Sequence, residues 1–350
     1  MCTNGGDITA MQGADDRGRP LVTVCVPTIG RTMMLSEALE SVHRQTYPNL
    51  EILLLDNASE GEGRQILQRF ADRDSRVRIL RSETRLTMFA NFNRGIQAAR
   101  GDYVAFLFDD DLFMPTLVER AVDVLARFPA AGFVGSNYAL IDEAGNVTSQ
   151  SGLVAETVAI RGLQYISDQM RRVTMIIASP GTLFRRRLLA AFPFDESLSV
   201  HGGDLVMRLR MAEVTDVALI AEPLVSVRVH PQAETASLTA INAFVMRTRM
   251  LQDYIADYAR RWPDERAFTR SLQARLAMVH GSTLVWDWIA LGDEEETEQR
   301  RLGLSAVPGG AQLAAMLALS ERLGLTASRR RERLAPLMRR LGPIVPTPYA

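Results

Sequence analysis

The apolar positions of this chain follow two alternating regimes. The first is a short, near-continuous apolar run, Leu21-Val22-Thr23-Val24-Cys25-Val26, closed by Pro27. Such a run is the pattern of a strand buried on both faces of a parallel sheet. Leu35, Leu39 and Val42 then recur at helical spacing and predict a helix over 33–45. The alternation repeats with a strand at 50–55, a helix near 62–72 around Ile66, Leu67 and Phe70, and a strand at 77–81. A helix near 88–99, a strand at 103–108, a helix opened by Pro115 and running to about 127, and a strand at 132–135 complete the series. Repeated βα units with short connections predict an α/β fold with a doubly wound, mostly parallel sheet.

After residue 136 the pattern changes. Tyr138–Asp142 and the segment from Val147 flank Glu143-Ala144-Gly145-Asn146, a hairpin signal. A helix near 204–213 and strands near 216–220 and 224–229 follow, and from about 239 the chain reads as helical to about 340. The expected organisation is a flexible leader over 1–20, an α/β region over 21–237 and a helical C-terminal region over 238–350.

Composition narrows the chemistry. The 350 residues carry 40 basic and 41 acidic side chains, a net charge of −1, so there is no basic excess to bind nucleic acid. Apolar residues make up 47%, enough for a large core, and no run approaches the ~18 apolar residues of a membrane span. Residues 1–20 are polar and do not read as a signal peptide. With only Cys2 and Cys25, neither a disulfide framework nor a cysteine-rich zinc site is expected. These features predict a cytoplasmic protein. The chain contains no lysine at all. That removes Schiff-base chemistry, the lysine of a G-x-x-x-x-G-K-[ST] loop and the kinase strand lysine. Any phosphate neutralisation must come from arginine, helix N-termini or a metal.

In open parallel sheets ligands bind beyond the C-terminal strand ends. Three polar clusters fall there: Pro27-Thr28-Ile29-Gly30-Arg31, Asp56-Asn57-Ala58-Ser59-Glu60-Gly61, and Asp109-Asp110-Asp111. The aspartate triplet is the sharpest signal, because three adjacent carboxylates repel one another and together make a hard, oxygen-rich site suited to Mg²⁺ or Mn²⁺. The plainer reading of each cluster is a charged turn or a helix cap.

Four stretches in order, Val24–Thr28, Leu54–Ser59, Asn91–Tyr103 and Phe106–Asp111, resemble the nucleotide-diphospho-sugar glycosyltransferases of family 2, with the GT-A fold. The resemblance continues more weakly to about 237. It implies a nucleotide-sugar half over 21–136 and an acceptor half over 137–237. Pro27 and Thr28 would hold base and ribose, and Asp56 would accept the imide N–H of uracil or thymine. Asn93, Asp109 and Asp110 are further donor-binding candidates. Asp111, with Asp109, matches the D-x-D motif that contacts ribose and metal. His230, after Val225–Val229, resembles the closing motif as a third metal ligand or a phosphate contact. Asp204 matches the general base of the family's acidic pair, whose first member is Gly203 here.

The resemblance implies a metal-dependent inverting transferase. It would move a sugar from a UDP- or dTDP-sugar to a hydroxyl of a saccharide, lipid-linked saccharide or natural product. A non-catalytic nucleotide-sugar-binding protein and a sugar nucleotidyltransferase are the alternatives. The last segment, with Arg329, Arg330, Arg331, Arg333, Arg339 and Arg340 against Glu332, suits packing on the domain, a homodimer contact or a peripheral membrane contact.

Overall fold

The computed structural model describes residues 18–171, 177–198, 202–233 and 240–277. These fall into two compact units. The first holds residues within 1–159, 177–196 and 216–229, and the second those within 160–176, 197–215 and 230–350. The first 17 residues and the segment beyond 277, with its arginine-rich end, lie outside the described residues.

The strands are β1 (Val22–Thr28), β2 (Leu50–Asn57), β3 (Val77–Ser82), β4 (Tyr103–Phe106), β5 (Leu112–Phe113), β6 (Ala131–Ile141), β7 (Val147–Gln150), β8 (Val158–Ile160), β9 (Leu183–Arg185) and β10 (Asp216–Arg228). The helices are α1 (Thr32–His43), α2 (Gly61–Arg73), α3 (Met88–Ala98), α4 (Leu117–Arg127), α5 (Gly162–Met170), α6 (Arg186–Ala191), α7 (Gly203–Ala212) and α8 (Ala240–Arg261). Residues 266–277 are also helical. One sheet runs in the order β3-β2-β1-β4-β9-β6-β10-β5.

The βα alternation read from the sequence is present through α4. β3, β2, β1 and β4 are mutually parallel, and β10 runs parallel to β6. β9 enters antiparallel between β4 and β6, and β5 pairs antiparallel with β10. The expected hairpin exists as antiparallel β6 and β7. Two expectations change. The strands at 216–220 and 224–229 are one strand, β10, whose pairing with β6 shifts register on either side of Pro223. Proline has no N–H to give a ladder, so it sits at the irregularity and the strand continues past it. The strand expected to reach 108 ends at Phe106, releasing Leu107 and Phe108 into the aspartate loop.

Burial on both faces explains the apolar runs. Val22, Val24, Val26, Ile52 and Leu54 join Leu35, Leu39 and Val42 of α1 and Leu67 and Phe70 of α2 in one core cluster. On the opposite face, Cys25 and Leu55 meet α3 so closely that a Cβ on Gly95 would lie 2.6 Å from a Leu55 methyl. Phe89 and Phe92 of α3 pack with Phe106, Phe108 and Phe194 behind the strand ends.

The second unit contains α5, α7 and α8. Gly162, at the start of α5, is a position where any side chain would strike the carbonyls of Ala212 and Thr215. Arg210 pairs with Asp257, and Glu213 accepts from Tyr254 and Trp262, tying α8 and its C-terminal end to α7.

Candidate active site at the strand ends

The strand order reverses between β1 and β4: from β1 the chain builds outward through β2 and β3, then returns on the other side. A crevice beyond the C-terminal ends of the strands at such a switch point is the usual ligand position in open α/β sheets. Thr28 closes β1, Asp56 lies in the final pair of β2, and the aspartate triplet follows β4. The first and third polar clusters are therefore brought together at one edge of the sheet.

Their contact is direct. Thr28 Oγ1 donates to Asp109 Oδ2 at 2.6 Å and accepts from the Gly30 N–H at 2.9 Å. Arg31 donates to Asp109 Oδ1 at 2.7 Å and to Asp110 Oδ2 at 3.4 Å. Gly30 has φ +84°, and an added Cβ would lie 2.9 Å from Ser59 Cβ, so both conformation and space require glycine. This turn fixes the backbone of Arg31, which immediately precedes α1.

Asp109 and Asp111 are both buried. Burial pushes the Asp109 carboxyl above the ordinary carboxylate range, against the pull of Arg31 and Thr28. For Asp111, burial and then the neighbouring Asp110 push it well above that range, while the N–H of Arg228 pulls the other way at 2.9 Å from Oδ1. A divalent cation bound at these carboxylates would counter the effect of their burial. Among the described residues no three His, Cys, Asp or Glu side chains form a ready metal cage. Mg²⁺ and Mn²⁺ do not require one: one or two carboxylates completed by substrate phosphates and water suffice. The donor set of Asp109 and Asp111 fits such an ion.

Asp56 is engaged on both oxygens. Oδ1 accepts the Ser59 N–H at 2.8 Å, and Oδ2 accepts from Arg81 at 2.6 Å. It does not cap α2, whose N-cap is Glu60. Asn93 faces away from a purely ligand-binding role. Its amide donates to the Phe194 carbonyl at 2.9 Å and to Glu196 at 3.0 Å, and its oxygen accepts the Phe194 N–H at 3.0 Å. It thus clamps the 194–196 segment to α3. Pro27 lies in β1.

In the second unit, Asp204 occupies the first turn of α7 and pairs with Arg208 at 3.0 Å. Arg208 is fully buried. Burial opposes its charge, but Asp204 and Tyr165 outweigh this and raise its pKa. Asp204 is not the cap of α7; Gly202 holds that place. His230 lies two residues beyond the end of β10 and is buried.

Arg228 emerges as a site residue only from the structure. In the sequence it is the basic residue of the Val225–Val229 stretch, with nothing to mark it as buried. Its side chain is 1% exposed. Nε donates to the Asp110 carbonyl at 3.0 Å, Nη1 to the carbonyls of Asp142 and Glu143, and Nη2 to Glu37 of α1 at 2.6 Å. One side chain thereby joins the aspartate loop, the β6–β7 turn and α1. A groove of about 810 Å³ on the flank of α1 and α2 is lined by none of the expected site residues.

Residues 23–192 match the sequence model of the family described as Glycosyl transferase family 2, so this segment is a family-2 glycosyltransferase domain. Glycosyltransferase GlyG of Streptococcus pneumoniae is 31% identical over 140 residues, which is 39% of this chain and 46% of that protein. The chain thus spans about half the length of that curated relative. Among solved structures, S. aureus TarS residues 1–349 in complex with UDP-GlcNAc superposes with a TM-score of 0.62 at 16% identity, covering 91% of this chain and 92% of that one. The mannosyltransferase PcManGT from Pyrobaculum calidifontis, in complex with GDP-Man and Mn²⁺, gives 0.50 at 18% identity, covering 92% and 87%. These likenesses establish a GT-A-type fold.

Proposed function

We propose that this family-2 glycosyltransferase domain moves a sugar from a nucleotide diphosphate sugar, a UDP- or dTDP-sugar, to an acceptor hydroxyl, inverting the anomeric carbon. The observation that carries this reading is the pair of buried carboxylates, Asp109 and Asp111, at the switch point of the sheet. Asp56, held by Arg81 and the Ser59 N–H, keeps lone pairs to accept the imide N–H of the base. Thr28 and Asp109 present the ribose contact. Asp111, with Asp109, would hold Mg²⁺ or Mn²⁺, and a bound ion would offset charge on the departing diphosphate. Asp204, fixed by its pair with Arg208, takes the proton from the attacking hydroxyl. A single displacement needs no covalent intermediate. TarS and PcManGT carry UDP-GlcNAc and GDP-Man with Mn²⁺ respectively, and this supports a nucleotide-sugar donor and a divalent ion.

The test is a thermal-shift panel of UDP-, dTDP- and GDP-sugars with and without Mn²⁺, followed by assay of nucleoside diphosphate release. A donor at a hundredfold over its Kd adds ~2.7 kcal/mol to the folded state. A Mn²⁺-dependent rise in Tm with a UDP- or dTDP-sugar is expected. No rise with any nucleotide sugar refutes the reading. Binding without release, whatever acceptor is supplied, favours a binding protein, the alternative that Gly203 at the first acidic position motivates.

A further inference from the structure

We propose that Arg31 is the exchange cation of the donor site. In the free protein it is the counter-ion of Asp109 and Asp110, and on donor binding its guanidinium passes to the diphosphate and leaves those carboxylates to the metal. The inference rests on the glycosyltransferase reading above and adds to it a residue and an order of events.

Three observations carry it. Arg31 Nη2 sits 2.7 Å from Asp109 and 3.4 Å from Asp110, on the carboxylates that a divalent ion has to engage. Its side chain is 34% exposed, while those of Asp109 and Asp110 are 4% and 14% exposed. A ligand arriving from solvent therefore meets the guanidinium before the carboxylates. Finally, two other cations of the strand-end loops are committed elsewhere. Arg228 is buried and bound to three carbonyls and Glu37, and Arg81 is bound to Asp56 and to the Ser59 carbonyl. In a chain without lysine, Arg31 and the exposed Arg85 after β3 are arginines at this edge able to meet a diphosphate, and of the two it is Arg31 that sits on the Asp109 and Asp110 carboxylates.

The local backbone suits an exchange. Gly30, locked at positive φ against Ser59, holds the Arg31 backbone, so movement is confined to a long side chain. Asp109 does not lose its orientation when the guanidinium leaves, because Thr28 Oγ1 still donates to its other oxygen. The charges also favour it. A planar guanidinium binds phosphate oxygens at least as well as a carboxylate, often through two parallel hydrogen bonds.

The consequence is a coupling between cation and nucleotide. A divalent ion offered alone must compete with Arg31 for Asp109. Offered with a nucleoside diphosphate, it meets carboxylates that Arg31 has vacated. Linkage makes this reciprocal, so the nucleotide gains from the ion by the same factor.

The experiment measures Mn²⁺ binding to the full chain by the EPR signal of the free ion, with and without UDP, and with GDP in parallel. The wild-type protein is compared with Arg31→Gln and Arg31→Lys. The wild type is expected to bind Mn²⁺ weakly alone and at least about tenfold more tightly with UDP. Arg31→Gln removes the competitor and is expected to bind Mn²⁺ alone about tenfold more tightly than wild type. It should bind UDP more weakly, with most of the coupling gone. Arg31→Lys keeps a cation and should retain part of the coupling. A residue that only braces the loop would weaken Mn²⁺ binding when removed, so the sign decides. If Arg31→Gln binds Mn²⁺ alone no better than wild type while the wild type shows Mn²⁺-dependent UDP binding, the exchange role is overturned and the glycosyltransferase reading stands. If the wild type binds neither UDP nor GDP with Mn²⁺, both the reading and the inference built on it fall.

Discussion

Replacing Arg228 with methionine keeps most of the side-chain volume and removes the side-chain hydrogen bonds by which this residue ties the aspartate loop to the β6–β7 turn and α1. The guanidinium donates to the carbonyls of Asp110, Asp142 and Glu143 and to the Glu37 carboxylate, with its side chain 1% exposed. Breaking a buried ion pair by removing one partner typically costs ~3–5 kcal/mol. That figure is an upper bound here, because the Glu37 side chain is 58% exposed and regains water when the arginine goes. The Asp142 and Glu143 carbonyls belong to an exposed hairpin turn and also rehydrate. The Asp110 carbonyl retains the larger penalty, ~1–3 kcal/mol for an acceptor left without its donor. The sum is about 2–3 kcal/mol, within what a domain of ordinary stability tolerates. Glu37→Gln, by contrast, alters the exposed end of the pair and should cost under ~1 kcal/mol. Urea denaturation of the full chain measures both. The asymmetry is the diagnostic result, with Arg228→Met lowering the midpoint several times more than Glu37→Gln. Equal losses, or an Arg228→Met protein within ~0.5 kcal/mol of wild type, would refute the account of Arg228 as the link between these three segments.

Three further outcomes follow from the geometry. Asp111→Ala should abolish Mn²⁺-dependent nucleotide binding and turnover with the fold intact by circular dichroism; unchanged activity both in EDTA and in the variant would remove the metal assignment. Asp204→Asn keeps the shape but cannot take a proton, so kcat should fall ~100-fold or more with donor affinity barely changed. Near-normal kcat would shift the base to Asp195 or Glu196. Asp74 accepts from Arg76 and meets His43 Nδ1 at 2.7 Å, and the Arg76 hydrogen bonds hold its carboxyl well below the usual range. A depressed carboxylate stabilises the fold above its unfolded pKa of ~3.9 and loses that contribution as pH falls through the lower folded value. Asp74→Asn should therefore cost ~1–2 kcal/mol at pH 7 and converge with wild type well below pH 4. A difference that persists unchanged into strong acid would exclude the charge as its source.

What the sequence disclosed depends on whether the signal was local. β1, β2 and β4 were legible because burial on both faces demands continuous apolar residues, and the loops after them because carboxylates cannot cluster in a core without reason. β10 read as two strands because Glu222 and Pro223 interrupt its apolar pattern, while its pairing with β6 resumes beyond the register shift. β5 is two residues long, and long-range pairing alone makes it a strand. α5 escaped notice because Gln164, Asp168 and Gln169 dilute its apolar stripe. The roles of Asn93 and Arg228 rest on partners about a hundred or more positions away, which no spacing rule can reach.

The absence of lysine shapes the site more than any single motif. Each carboxylate at the strand ends that touches a cation touches a guanidinium from a neighbouring loop or strand: Asp56 with Arg81, Asp109 and Asp110 with Arg31. Asp110 also has its own carbonyl held by Arg228. A lysine ammonium would satisfy a carboxylate as a point charge, leaving its direction loose, whereas a planar guanidinium fixes direction as well as charge. Arg81 and Arg228 spend their extra donors on backbone carbonyls, so the loops they join are set before any ligand arrives. Arg31 differs because it donates to the Asp109 and Asp110 carboxylates and its side chain reaches solvent. A preorganised frame with one exchangeable cation suits the proposed binding of a dianionic leaving group. The frame limits the reorganisation on binding, and the exchangeable charge lets the carboxylates be neutral towards solvent before donor binding and available to a metal after it.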